Sequence, residues 1–339
     1  MKTPNTCALV ARSVRPHRLS LAVFLAAALT VVSACASSPA ARTDTAPTTT
    51  RPAARDAVAD VAALTTPEMA GRGTGSAGGK LARAYVTKRF GELGLAPMGG
   101  SFIHPFSFTL RNGKKYDDAA NVIGMLRGTV EPDRWLVVSA HYDHLGEVDG
   151  KVYPGADDNA SGVAALFAIA AHFKANPPRH SVLFVSFDAE EIAIRGAREF
   201  VEKPPVPLEK IAAVLNLDMV SASANNEIYM AGTHHRPWLK PYIDEAAARS
   251  QVKVLYGHDQ PPTMSKLQDW TVSSDHGPFH LKGIPFVYFG VEDHPNYHQP
   301  TDTFANFNRA FFLRAVPLFI DVATVLDREL SEIAKKAGR

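Results

Sequence analysis

Cysteine is nearly absent: Cys7 and Cys35 are the only two among 339 residues. Downstream of Cys35 no disulfide can form, so stability there has to come from a core. At 46% hydrophobic the chain has the material for one. A charge of one sign is lacking too. The net charge is +2, yet the first 34 residues carry Lys2, Arg12, Arg15 and Arg18 and no acid, which leaves the remainder at −2. Charge therefore gives no reason to expect a nucleic-acid partner. The apolar run LSLAVFLAAALTVV over 19–32 is too short for a comfortable membrane span. There is no internal repeat. A phosphate loop is missing as well. GTGSAGGK hints at one, but Thr74 stands where its first glycine should be, Leu81 follows Lys80 where Ser or Thr is needed, and no strand precedes it. The segment reads as a structural turn entering a helix.

What is present starts with an export signal. A basic stretch through Arg18 precedes the apolar run, which has the proportions of a signal-peptide core and ends in Val32-Ser33-Ala34-Cys35. This ending resembles a bacterial lipobox, in which cleavage before Cys35 leaves a lipidated N-terminal cysteine. The alternative is an ordinary secretory signal cut at a small-residue site. Residues 36–55 are rich in Ala, Pro, Thr and Ser, with almost no large apolar side chain, and read as a disordered tether. The expected organisation is a signal peptide over 1–34, a lipidated Cys35 with its tether over 35–55, and one folded domain over 56–339. The expected location is the bacterial cell envelope, held to the membrane through Cys35.

Within the folded part, apolar runs alternate with amphipathic ones. NVIGMLRG, WLVVSAH, SVLFVSF, AAVLNLDMV, EIYMAG and IPFVYFG read as strands. DAVADVAALTTPEM, KLARAYVTKRFGELGL, SGVAALFAIAAHFKA, IRGAREFVEK, RPWLKPYIDEAAARS and the stretch from Arg309 read as helices. Such alternation implies an α/β fold: a three-layer α/β/α sandwich around a mostly parallel, twisted central sheet.

Five residues of metal-ligand type follow apolar runs: His141 in SAHYDHLG, Asp158 in PGADDNASG, Glu191 in FVSFDAEE, Asp218 in AVLNLDM and His298 in NYHQPTDT. Residues just past a buried strand lie at its carboxyl end, where open α/β sheets bind ligands. Two imidazoles and three carboxylates suit zinc and similar divalent metals. Glu190 adjoins Glu191, and two adjacent glutamates can divide the work, one binding metal while the other faces substrate. Asp143, two residues from His141, can hold that ring or support the site from just outside it. Each motif has a plainer reading alone. GADDN can be an acidic helix cap, in which Asp157 or Asn159 serves as well as Asp158. An isolated Glu-Glu pair can open a charged helix. Asp218 is the exception, because a carboxylate within AVLNLDMV is costly to bury unless paired or metal-bound. By residue type alone His276 and His294 compete with His298. His234-His235 can line a pocket or a surface turn.

Together the order His–Asp–Glu-Glu–Asp–His resembles the M28 family of metallopeptidases, the di-zinc aminopeptidases, from about Asp56 to the C-terminus. The resemblance implies a zinc-peptidase (phosphorylase/hydrolase-like) fold and two Zn2+ ions per chain. His141 and Asp218 would hold one, Glu191 and His298 the other, and Asp158 would bridge both. It also implies that Glu190 is the general acid/base, that Asp143 orients His141, and that peptides with a free N-terminus are the substrates. Two departures stand out. Ala193-Ile194 lies near the place where many members have Gly-Leu after DAEE. The segment between NVIGMLRG and WLVVSAH has no room for the protease-associated domain that some members insert. A glutaminyl-cyclase-like enzyme with one zinc, a carboxypeptidase or dipeptidase, and a non-catalytic binding module are the alternatives on the same fold.

Overall fold

The computed structural model describes residues 50–339. The signal peptide, Cys35 and the expected tether up to residue 49 lie outside the described residues; residues 50–55, expected as disordered tether, instead open the first helix. The chain starts with α1 (Thr50–Leu64), a 3-10 turn over Pro67–Arg72, and α2 (Ala77–Glu92). The strands β1 (Ala96–Pro97), β2 (Ile103–Thr109), β3 (Lys115–Leu126) and β4 (Glu131–His141) follow, and then the hairpin β5 (Gly146–Val148) and β6 (Lys151–Tyr153). Next come α3 (Gly162–Ala175), β7 (His180–Phe187), α4 (Arg195–Glu202), β8 (Ile211–Leu217) and β9 (Glu227–Ala231). The remainder is α5 (Lys240–Ala247), β10 (Lys253–Tyr256), α6 (His276–Leu281), β11 (Phe286–Gly290), α7 (Arg309–Arg328) and α8 (Leu330–Ala337).

Nine strands form one sheet in the order β1-β3-β7-β4-β8-β11-β9-β10, with β2 also on β3. Its centre, β7-β4-β8-β11, is parallel throughout. The outer strands mix directions: β3 runs antiparallel to β7, and β9 antiparallel to β11. The parallel reading therefore holds for the centre of the sheet and not for its margins.

Alternation along β4 explains the three layers. Leu136, Val138 and Ala140 face one core with α1, α2, α3 and α7, while Trp135 and Val137 face a second core with α4 and α6. Because β4 and β7 have both faces covered, their sequences are continuous apolar runs rather than alternating ones. The first core is dense in aromatics, with Phe90 and Phe167 meeting edge to face at 5.9 Å. Each such ring contributes about 1.5–3 kcal/mol on burial.

The connections place the site. From β4 the chain crosses through α3 to β7 on one side, then through α4 to β8 on the other. The strand order therefore reverses at β4, and the loops leaving the carboxyl ends of β7, β4, β8 and β11 open into one crevice.

Candidate metal centre

Four of the five candidate ligands sit in or beside that crevice because parallel strands end there. His141 is the last residue of β4, Asp218 follows β8, Glu191 lies four residues past β7, and His298 comes from the loop after β11. Asp158 arrives from the irregular turn over Ala156–Ser161 that starts α3. Cβ of a residue at position 155 would fall 2.1 Å from the Asp158 carbonyl oxygen, and Gly155 itself has φ +62°, so only glycine fits this entry.

The structure brings all five together. His141 Nε2 lies 3.2 Å from Asp218 Oδ1 and 3.5 Å from Asp158 Oδ1. His298 Nε2 lies 3.1 Å from Asp158 Oδ2 and 3.3 Å from Glu191 Oε2. Asp158 thus turns one oxygen to each histidine. Donor atoms bound to one tetrahedral zinc at about 2.0–2.1 Å stand roughly 3.3 Å apart, and these four separations bracket that spacing. His141, Asp158 and Asp218 form one group of donors close enough to hold an ion, and His144, Asp158 and Glu191 form another. The residues present fit divalent metal at both positions.

The electrostatics agree. Burial acts to lower the His141 pKa, but Asp218, Glu190 and Asp158 lift it well above the usual histidine value. His298 is lifted to about 10 by Asp158 and Glu191 against the same opposing burial. Burial would raise Glu191 too, yet contacts with His144 and His298 hold it well below the carboxylate range. The Asp218 carboxyl is likewise lowered, by His141 and Ser274, in spite of burial. Glu190 goes the other way. Burial pushes it well up, His141 pulls it back, and Asp218 and Asp275 add to the rise. Its Oε2 reaches within 4.0 Å of His141 Nε2, and its side chain keeps slight solvent access.

Asp143 meets His141 chiefly through its main chain. The ring Nδ1 lies 3.1 Å from the Asp143 carbonyl oxygen and 3.7 Å from its carboxylate. A proton on Nδ1 shared with that carbonyl leaves Nε2 free to face the metal position. The Asp143 carboxylate instead accepts N–H bonds from Glu190 (3.1 Å) and Glu191 (3.3 Å), so it fixes the turn that presents both glutamates.

The other candidates find separate work. Asp157, the first Asp of the pair, accepts from Ser221 N and Oγ and from His294 Nε2 at 2.9 Å, so its carboxylate is spent on bracing. That contact also occupies His294. His276 turns Nε2 to the Trp270 carbonyl, and His235 turns Nε2 to Thr271 Oγ1. His234 lines a hollow with Lys240, Tyr256 and Asp259, which none of the cluster residues lines. In the Gly-rich loop, Ser76 caps α2 by accepting from Gly79 N, as the turn reading expects.

Sequence reasoning left several supporting residues unassigned. Asp188 accepts from Ala120 N, Ala189 N and Tyr142 Oη, tying β3 and β4 to the β7 exit. Thr74 Oγ1 reaches Asp188 at 3.0 Å and Asp143 at 3.2 Å. Asp302 accepts from Asp157 N and Asp158 N; its pKa rises to about 6 through burial and repulsion from Asp157. Asp275 is fully buried, has no hydrogen-bond partner for either oxygen among the described residues, and is pushed up to about 7 by burial. Arg72 is wholly buried. It donates to the carbonyl oxygens of Leu64, Tyr142, Pro154 and Gly155 at 2.6–2.9 Å. Burial lowers its pKa to about 10, against attraction from Asp158, Asp302, Asp143 and Glu191, so it stays charged at neutral pH. Asp188, Thr74, Asp302 and Arg72 have no local sequence signature, since each acts mainly on partners far along the chain.

Comparison with known proteins adds to the geometry. The family model described as Peptidase family M28 matches residues 121–323. The aminopeptidase YwaD of Bacillus subtilis (strain 168) is 30% identical over 200 residues, covering 56% of this chain and 40% of YwaD. A glutamate carboxypeptidase 2 homolog of Caenorhabditis briggsae is 27% identical over 223 residues, 54% of this chain and 26% of that one. The match thus spans well under half the length of these relatives. Among solved structures, a Zn-dependent exopeptidase from Parabacteroides distasonis ATCC 8503 overlaps 80% of this chain and 97% of its own, with TM-score 0.64 and 19% identity. A Bacteroides thetaiotaomicron glutaminyl cyclase overlaps 79% and 96%, also with TM-score 0.64, at 17% identity. At such identities the two structures speak to the fold alone.

Arg72 generates a prediction. Replacing it with Met should leave four carbonyl oxygens short of their buried donor and lower stability by at least about 2 kcal/mol. Urea denaturation checks this; an unchanged midpoint would show that the clamp does not contribute.

Proposed function

The chain belongs to peptidase family M28, and from that membership we propose that it is a zinc-dependent aminopeptidase releasing N-terminal residues from peptides. One observation carries the reading: two groups of metal donors share Asp158, and Glu190 stands beside them as a carboxylate belonging to neither. His141, Asp158 and Asp218 would hold one zinc, and Asp158, Glu191 and His298 the other. The chemistry supplied by zinc, when bound, is Lewis acidity, which acidifies water and favours negative charge on an attacked carbonyl oxygen.

The chain's own residues do the rest. Glu190, with its raised pKa and its place at the edge of the cluster, takes the proton of the attacking water and returns it to the leaving nitrogen. The Asp143 carboxylate keeps Glu190 in position by accepting the Glu190 N–H, and the Asp143 carbonyl keeps His141 in one tautomer. Asp275, fully buried with no hydrogen-bond partner among the described residues, lies close enough to Glu190 for their charges to interact and adds to the negative field that favours a substrate ammonium. A carboxypeptidase needs a free cation for the substrate carboxylate. Arg72, a cation whose charge acts on the cluster, is not free for this, because its guanidinium is committed to four carbonyl oxygens. These features favour the amino end over the carboxyl end. For the whole chain we propose export and anchoring through a lipidated Cys35, on the strength of the VSAC ending and the polar segment after it.

Purified protein should hold close to two zinc equivalents, lose activity on chelation, and cleave aminoacyl substrates but not N-blocked ones. Release of a carboxyl-terminal residue from an N-blocked peptide would overturn the aminopeptidase reading. Cyclisation of N-terminal glutamine by fully active single-metal protein would support the cyclase instead.

Glu190→Gln keeps the shape and removes the base, so kcat should fall on the order of 10²–10⁴-fold with metals retained. Asp158→Asn should lose metal instead, as measured by elemental analysis. Near-normal turnover of Glu190→Gln would remove the acid/base assignment.

Cell fractionation tests the anchor. Wild type should partition with membranes, and Cys35→Ser should remain unprocessed at that site or appear soluble. Soluble wild type whose unmodified N-terminus lies beyond Cys35 would refute the anchor and leave the peptidase reading intact.

A further inference from the structure

His144 lies in the SAHYDHLG motif and stands among the donors near Glu191 and Asp158, outside the five candidate ligands. It is 1% exposed, and its ring is pressed against the Gly155 backbone, where an added Cβ would lie 2.6 Å from ring carbons. Its Nδ1 lies 2.7 Å from Glu191 Oε1 and 3.7 Å from Asp158 Oδ2. Its Nε2 is buried with no partner among the described residues. The ring therefore has one engaged nitrogen, aimed at the cluster.

Two roles fit an imidazole there: a further ligand of the second metal position, or a holder of Glu191. The separations distinguish them. Ligands sharing one zinc stand roughly 3.3 Å apart, and the histidine–carboxylate separations among the five candidate ligands run from 3.1 to 3.5 Å. The His144–Glu191 separation of 2.7 Å is shorter and belongs to a charge-assisted hydrogen bond. The two Glu191 oxygens are also divided: Oε1 meets His144, while Oε2 meets His298.

We infer that His144 is a positioning residue that donates Nδ1–H to Glu191 Oε1 and so turns Oε2, alone, toward the metal position shared with His298 and Asp158. The inference rests on reading this cluster as a metal centre. It makes Glu191 a one-oxygen ligand of fixed orientation, since a carboxylate without such a partner is free to rotate or to bind through both oxygens. An outer partner of this kind typically alters metal affinity about 10–100-fold.

Asn, Gln and Ala at position 144 separate the roles. The Asn amide nitrogen takes the place of Nδ1 and can still donate to Glu191, but it is a poor zinc ligand. The Gln amide reaches the place of Nε2, fills more space and misses the donor position. Metal content of the purified full chain is measured against a chelator series, and Glu191→Ala marks the equivalent that Glu191 holds. His144→Ala and His144→Gln should release that equivalent at a chelator concentration about 10–100-fold lower than wild type. His144→Asn should keep wild-type retention, and its cobalt-substituted form should keep the wild-type visible spectrum. If Asn loses the metal as Ala does, with an altered cobalt spectrum, His144 is a ligand and the inference is overturned. It is equally overturned if Gln rescues better than Asn, because side-chain size would then be what matters. A wild type holding one metal would sink the two-metal reading, while the Ala–Asn comparison on that metal would still decide His144. If Glu191→Ala releases nothing, the inference falls.

Discussion

Mutual repulsion among buried carboxylates is the constraint on which the rest of this structure depends. Asp143, Asp158, Asp218 and Asp275 are all buried, and Glu190 and Glu191 lie beside them with little solvent access. An uncompensated charge in such a place costs several kcal/mol, so this crowding is tolerable only if positive charge and aimed N–H groups answer it. The chain answers it in three ways. The surrounding acids favour positive charge at His141 and His298, and the donor spacing suits metal at two positions, where neutral imidazoles would leave that charge to the ion. Backbone N–H groups bind three of the acids that are not ligands: those of Glu190 and Glu191 bind Asp143, those of Asp157 and Asp158 bind Asp302, and those of Ala120 and Ala189 bind Asp188. Arg72 adds a permanent positive charge behind the loops that carry HYD and GADD.

Arg72 shows how folding and site formation are one event. Its guanidinium is saturated by carbonyl oxygens, so geometrically it is a backbone clamp, yet its charge acts on four acids it does not touch. A lysine could carry the charge but not the planar fork of donors that reaches four carbonyl oxygens. The Gly155 turn works to the same end. Its left-handed backbone lets the chain double back, and the Asp157–Asp158 peptide groups then meet Asp302 while the two side chains diverge, one to Ser221 and His294, the other to the cluster.

The centre of the fold was legible in the sequence for a physical reason. Strands covered on both faces, such as WLVVSA and SVLFVSF, must be apolar throughout, and polar residues directly after them stand out. That contrast exposes His141, Glu191 and Asp218 as candidates in the sequence itself. The short hairpin β5–β6, the edge strands β2 and β10 and the small helix α6 were not read, because exposed or brief elements leave no strong periodicity. The choice between Asp157 and Asp158 was also closed to spacing arguments. It is made by Ser221 and His294, which lie 64 and 137 residues away. The same holds for Thr74, Asp188 and His144, whose partners are set by the sheet order rather than by neighbours in sequence.

That sheet order has a consequence for how the centre comes into being. Residues 72, 141, 158, 191, 218, 298 and 302 are drawn from nearly the whole described chain, and the Asp302 contact with Asp157 closes a span of 145 residues. The donors of the first position, His141, Asp158 and Asp218, all lie within residues 141–218, whereas the second position draws on His298 from the loop after β11. A chain emerging residue by residue therefore lays down the members of one donor group before those of the other, and the second waits for the last loop. Non-local closure of this kind is slow relative to local helix formation, so completion of the second group is tied to the final stage of folding.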